Sequence, residues 1–350
     1  MLDEEVKKQL HEGAVIPAHP LALTKRKRLD EAGQRALTRY YIDSGVGGIA
    51  VGVHTTQFEI RDPQFNLFEK VLKMAMEEIK KSQVSQSFIK IGGIAGPTEQ
   101  AEKEAHLIKE IGYDLGLLSV GGLQDYTEEQ LLHRTQKVAE IIPVFGFYLQ
   151  PAVGGRFLSY DFWKNLADIP NVYGIKVAPF NRYYTQDVIR AVCHSKRNKN
   201  IAIYTGNDDN IIADLLTTYR FNVNGETVMK PIVGGLLGHW SVWTKKSVEY
   251  FNEVKKARLS NKPSSELLTL GQEITDANAA FFDAKNQYKG SISGINEVLA
   301  RQGLLQGRWC LLEKDKLSPK QLDEIDRVYE DYSHLNDDTF VKENLTKWFT

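Results

Sequence analysis

The stretch Leu166-Ala167-Asp168-Ile169-Pro170-Asn171-Val172-Tyr173-Gly174-Ile175-Lys176 joins the end of a helix-period segment (160–167) to a short β-rich run (172–176). The run lacks strict polar alternation, as expected of a strand buried on both faces. Its last residue is a lysine. With a side-chain period of two, Val172, Gly174 and Lys176 share one face, and Tyr173 and Ile175 the other. A lysine is a poor choice for a buried strand end unless it acts there. Desolvation lowers a lysine pKa, and the neutral amine is a nucleophile toward ketones. The plain alternative is a solvent-facing lysine at a strand end.

Working outward, the same texture recurs. β-rich runs lie at 14–17, 48–53, 88–93, 115–120, 143–148 and 201–205, and an eighth falls within 231–240, blurred by glycines. Helix-period segments separate them at 28–44, 67–81, 98–111, 127–141, 160–167 and 185–193. Thr98 is a candidate N-cap, and Gly45 and Gly112 are stops. Eight β/α alternations closing on themselves make an α/β fold of the (β/α)8 TIM-barrel class, about 250 residues long. A doubly wound open sheet would normally carry a GxGxxG turn near its start, and the chain has none. After residue 251 the runs at 265–285, 291–302 and 319–332 read as helices with no strand between them, the last with Ser318 as N-cap and Pro319 at N1. The expected division is a barrel over 1–250 followed by a small C-terminal helical region over 251–350.

Composition narrows the function classes. The 350 residues hold 44 Lys and Arg against 45 Asp and Glu, a formal net charge of -1. A general nucleic-acid binder usually shows a large basic excess. The basic run Lys25-Arg26-Lys27-Arg28 has no interleaved aromatics and reads as a solvated face. Two cysteines, Cys193 and Cys310, exclude a disulfide scaffold and a CxxC metal site. No apolar run reaches the roughly 18 residues of a spanning helix, and residues 1–13 lack the apolar core of a signal peptide. A cytoplasmic protein is the expectation.

In a (β/α)8 barrel the chemistry sits at the C-terminal ends of the strands. That rule selects Lys176, then Tyr148 at the end of the fifth run, a phenol able to shuttle protons beside an amine. It also selects Thr55 and Thr56 after the second run, whose hydroxyls and amides suit a carboxylate. The alternatives are a core tyrosine and a capping threonine. Asp208-Asp209 reads as a turn or helix cap, and Cys193-His194 as a helix end, since adjacent helical residues diverge by about 100°.

Together these segments resemble the dihydrodipicolinate synthase/N-acetylneuraminate lyase family of class I Schiff-base aldolases, as a divergent member. Residues 43–49, Ile91-Gly92-Gly93-Ile94-Ala95-Gly96, 166–176, Tyr204-Thr205-Gly206-Asn207-Asp208-Asp209, 276–278 and 299–304 carry the likeness. The resemblance implies a lyase or aldolase acting on pyruvate or a longer 2-keto acid. Lys176 would form the imine, with no metal or other cofactor. Tyr148 would relay protons, and Thr55 and Thr56 would hold the carboxylate or align Tyr148. Gly206, Gly238, His239 and Trp240 would lie at the lumen mouth. The family forms dimers and tetramers, so a homo-oligomer is expected.

There are departures. The family's Gly-Thr-Thr-Gly-Glu loop is His54-Thr55-Thr56-Gln57-Phe58-Glu59 here, so both glycines are replaced. Val120-Gly121-Gly122-Leu123 stands where the synthases carry a tyrosine exchanged between subunits. The arginine after the fifth strand is displaced to Arg156. These losses count against dihydrodipicolinate synthesis proper. They leave an aldolase or lyase, a keto-sugar-acid dehydratase, or a non-catalytic binder on the same scaffold. His54, Gln57, Phe58, His239 and Trp240 are candidates for lining the substrate-tail pocket, or for plain loop packing. With a net charge of only -1, the molecule as a whole does not attract an anion, so recognition would be local, through amides, hydroxyls and Arg156.

Overall fold

A computed structural model describes residues 1–260, 262 and 264–350. Nine strands are present among them: β1 (Val15–Pro17), β2 (Gly48–Val51), β3 (Ile89–Ile94), β4 (Leu115–Leu118), β5 (Val144–Leu149), β6 (Val172–Ala178), β7 (Ala202–Thr205), β8 (Thr218–Val223) and β9 (Glu226–Leu237). All but β8 are the parallel strands of a (β/α)8 barrel, alternating with helices in chain order. The chain divides into two compact units, residues 1–14 with 86–236, and residues 15–85 with 237–350. The helical C-terminus therefore shares a unit with β1, β2 and the helices that follow those strands.

In the first unit β3, β4, β5, β6, β7 and β9 pair in parallel, in that order. Every residue of β4 and β5 is buried, which explains why their sequences lack polar alternation. The helix Glu4–Glu12 is capped by the Asp3 carboxylate, which accepts from the amides of Glu5 and Val6. The Tyr204 hydroxyl donates to the Leu10 carbonyl at 3.0 Å and ties this helix to β7. Thr98 is the first residue of its helix rather than the cap. Pro97 holds that position, and the helix stops at Gly112 with φ 109°.

The eighth barrel strand was expected within 231–240; it is the second half of β9, where Ile232, Gly234 and Gly235 pair with β7. The first half of β9 pairs antiparallel with β8, and Val223 and Glu226 close a hairpin through Asn224 and Gly225, both at positive φ. Asn-Gly is the residue pair that such a two-residue turn demands. Tyr219, Phe221 and Val223 alternate ahead of it, so the signal was present in the sequence.

In the second unit β1 and β2 are linked by a parallel bridge between Ala18 and Ala50. The C-terminal helices are Thr244–Ser260, Ser265–Phe281, Ser291–Arg301, Gln321–Asp331 and Asp338–Trp348. Pro319 does not open its helix. Lys320 at φ 66° interrupts the backbone, and the Ser318 hydroxyl donates to Asp283 at 2.5 Å. Among the described residues, no helix is long and apolar enough to cross a membrane.

Candidate active site

Lys176 lies near the C-terminal end of β6, in register with Phe147 on β5 and Tyr204 on β7. Its side chain is buried, and Nζ sits 4.3 Å from the centre of the Phe147 ring. Burial pulls its pKa from 10.5 down to about 8, while the charge of Asp208 pushes the other way. Near neutral pH the nucleophilic, neutral amine is therefore better populated than on an exposed lysine. The loop after β7 packs against the lysine stem. A Cβ on Gly206 would fall 2.5 Å from Lys176 Cε and 2.7 Å from Ala178 Cβ, so only glycine fits. Gly174 has a different use: a Cβ there would meet the Phe145 ring at 2.9 Å.

The Gly206 loop is held from beneath. The buried Asp214 carboxylate accepts from Thr205 Oγ1 at 2.6 Å, Asn207 Nδ2 at 3.0 Å and Asn210 Nδ2 at 3.0 Å. It also pairs with Arg182. Asn207 Oδ1 in turn accepts from the Phe180 amide at 3.0 Å. Each flank of Gly206 is thus fixed by side chains that are themselves satisfied. The two adjacent acids of this loop interact electrostatically with different groups. Asp208 acts on Lys176, whereas Asp209 acts with Arg182 and Asp214. A turn motif in the sequence could not have separated them.

Tyr148 takes a different position from the one expected. Phe147 is the β5 residue in register with Lys176, and Tyr148 is in register with Val177, so their side chains leave opposite faces. The Tyr148 ring packs on Trp163, 4.9 Å between centres, from the helix Tyr160–Asp168. Its hydroxyl meets the Leu158 backbone, and burial raises its pKa to about 12. Tyr148 is therefore packed between sheet and helix layer and does not face the amine. Arg156 is also spent locally. Its Nη1 donates to the carbonyls of Leu123 at 3.1 Å, Gln124 at 3.1 Å and Tyr126 at 2.5 Å, bracing the loop after β4.

In the second unit the turn His54–Thr56 follows β2. Thr56 Oγ1 accepts from the amides of Gly52 at 3.0 Å and Val53 at 3.2 Å and donates to the His19 carbonyl at 2.6 Å. A hydroxyl has one proton and two lone pairs, so Thr56 shapes the turn and has none left for a carboxylate. Thr55 takes no part in that network. Gln57 adopts φ 68° and ψ 117°, a backbone position that favours glycine, which the family loop carries there. Its Oε1 accepts from the Leu311 amide at 2.7 Å, and the side chain is fully buried against the C-terminal segment rather than lining a tail pocket.

His239 and Trp240 are core residues of the same unit. His239 lies nearly parallel to Tyr250 and Phe281, and burial lowers its pKa to about 4. Trp240 Nε1 donates to the Tyr250 hydroxyl at 2.7 Å. A Cβ on Gly238 would meet Phe282 at 2.8 Å, so that glycine serves packing.

A family model described as the dihydrodipicolinate synthetase family matches residues 12–220, more than half of the chain. The chain belongs to that family. The 4-hydroxy-tetrahydrodipicolinate synthase of Thiobacillus denitrificans is 28% identical over 193 residues, 54% of this chain and 60% of that protein. The chain thus matches rather less than two thirds of the length of this curated relative. Dihydrodipicolinate synthase from Acinetobacter baumannii, solved with pyruvate, superposes with a TM-score of 0.72 at 20% identity, covering 92% of this chain and 99% of that one. N-acetylneuraminate lyase from Fusobacterium nucleatum gives 0.70 at 16% identity, covering 93% and 99%. At such identities the likeness establishes the family's (β/α)8 fold.

Proposed function

We propose that the chain is a Schiff-base-forming lyase or aldolase acting on pyruvate or a longer 2-keto acid. The observation that carries this reading is the buried Lys176 amine, held at a strand end with its pKa lowered to about 8. Its neutral nitrogen would attack the keto carbon. The N–C bond forms, the keto oxygen takes a proton, and water leaves to give an iminium. That iminium accepts the electron pair released when the bond beyond C3 breaks, or when a C3 proton is lost. The reading needs no metal, because the imine is the electron sink.

Membership of the family supports it, as does the space that Gly206 leaves beside the lysine. Incubation with pyruvate or 2-oxobutanoate followed by borohydride should add the reduced keto-acid mass at Lys176, and Lys176→Ala should abolish it. A folded wild-type protein that gains no mass with either acid would remove the central step. Elimination of water from a keto-sugar acid would use the same imine, and product analysis separates it from carbon–carbon cleavage. A binder that kept the barrel is the second reading, favoured by the outward packing of Tyr148. It predicts keto-acid binding without C3 proton exchange. We carry a homo-oligomer, dimer or tetramer, as part of the proposal, to be measured by light scattering.

A further inference from the structure

An imine mechanism puts positive charge on one nitrogen twice: on the resting ammonium, and on the iminium once the carbinolamine has lost its hydroxyl. A buried cation needs something better than plain hydrocarbon beside it. At Lys176 that neighbour is the face of an aromatic ring. Phe147 is buried on β5, in register with Lys176 on β6, and the lysine Nζ lies over its ring, 4.3 Å from the centre. The register hydrogen-bonded between the two strands fixes where the ring and the lysine stem start. On another side the stem is confined by Gly206, where a Cβ would fall 2.5 Å from Lys176 Cε, and whose amide donates to the Val177 carbonyl at 2.8 Å. On β7 Tyr204 is in register with Lys176, and its hydroxyl donates to the Leu10 carbonyl. The charge of Asp208 also acts on the amine and favours the same cationic form.

We infer that the Phe147 ring is the electrostatic partner of the reacting nitrogen, holding its cationic forms, ammonium and iminium, against the negative face of the π system. A ring face attracts a cation within about 6 Å, and more strongly where water is excluded. The neutral amine and the neutral carbinolamine gain nothing from it. As the carbinolamine collapses, the nitrogen lone pair forms the C=N bond, the C–O bond breaks, and the hydroxyl takes a proton from solvent and leaves as water. The positive charge appears on the nitrogen above the ring, so the ring favours this step.

This inference rests on the imine reading, and its test separates the two. Without keto acid, acetylation of Lys176 across pH gives the amine midpoint. With pyruvate and cyanoborohydride, which reduces iminium ions, the trapping rate gives the iminium population. Both are measured on the full-length protein, as wild type, as Phe147→Leu and with a trifluorinated phenylalanine at position 147. Leucine keeps the site apolar and removes the ring; fluorine keeps the ring and drains its face. In both variants the midpoint should fall by about 0.4–1.5 pH units. At about pH 9 the amine starts neutral, and trapping should slow about 2- to 30-fold. At about pH 6.5 it starts as the ammonium, the gains on both cations cancel, and variant and wild-type rates should converge. An unchanged midpoint and unchanged trapping, with the wild-type adduct intact, overturn the assignment alone. So does a trapping loss equal at both pH values, which marks a packing defect. A wild type that traps nothing overturns the imine reading and the iminium half of the assignment, and the midpoints still decide the ammonium half. If Phe147→Leu does not fold, the fluorinated ring decides.

Discussion

Lys176 is a compromise between two opposing influences. Burial favours the neutral amine, and the nearby Asp208 charge favours the ammonium. The first prevails, which leaves the amine titrating near 8 instead of 10.5. Competitive acetylation of Lys176, followed by mass spectrometry across pH, should therefore show reactivity rising to a midpoint near 8. Removing the charge in Asp208→Asn takes away the influence that raises the pKa, so the midpoint should move lower still. A wild-type midpoint near 10.5, or an upward shift in the variant, would contradict this balance. The buried place of Lys176 on β6 was legible from the β-rich run that it closes. Tyr148 was not, because strand register sets the face, and one residue's difference in register turns a side chain from one side of the sheet to the other. A shift in pairing between Val144 and Phe145 is where that register is set.

At the scale of elements, two loops show how local rules are broken and compensated. Gln57 holds a backbone conformation that costs a side-chain-bearing residue about 1–3 kcal/mol. The bond from the Leu311 amide to its side chain is what glycine could not supply. Gln57→Ala keeps the unfavourable backbone and loses the bond, and should cost about 1–3 kcal/mol in urea unfolding. Gln57→Gly loses the same bond but relaxes the backbone, and should cost less. Equal losses in the two variants would show that the positive φ carries no penalty. The hairpin of β8 and β9 is the opposite case. Its Asn224-Gly225 turn follows the local rule, yet the expectation of eight strands led past it to the glycine-rich barrel strand beyond.

At the scale of the molecule, the C-terminal region is bound into the second unit by buried polar contacts. Asp337 accepts from the Tyr40 hydroxyl at 2.7 Å and from Gln302 at 2.7 Å, and the Trp348 indole donates to Asp43 at 2.7 Å. Two buried histidines of this unit, His19 and His239, have pKa values lowered to about 4 by desolvation. In the unfolded chain they take up protons near 6.5. Between these values the unfolded state binds more protons, so stability should fall as pH drops from about 6.5 toward 4. Urea midpoints at pH 7 and about pH 5 measure the fall, and His239→Asn should reduce it by removing one of the two groups. A pH-independent midpoint in this range would show that the histidines are protonated in the fold.

The barrel class was determined by the sequence alone, because strands buried on both faces and amphipathic helices leave a repeating hydrophobic pattern that needs no tertiary knowledge. The same reasoning placed Lys176 on a buried strand, and the resemblance gave the family. Only the tertiary structure decided which polar groups were already spent. Thr56 and Arg156 bond to their own loops, and His239 and Trp240 belong to a core built with C-terminal helices. It also decided that the charge of Asp208, two residues past Gly206, is felt by the buried amine. Those choices depend on strand register and on contacts between distant residues. Neither is written in the local order of side chains.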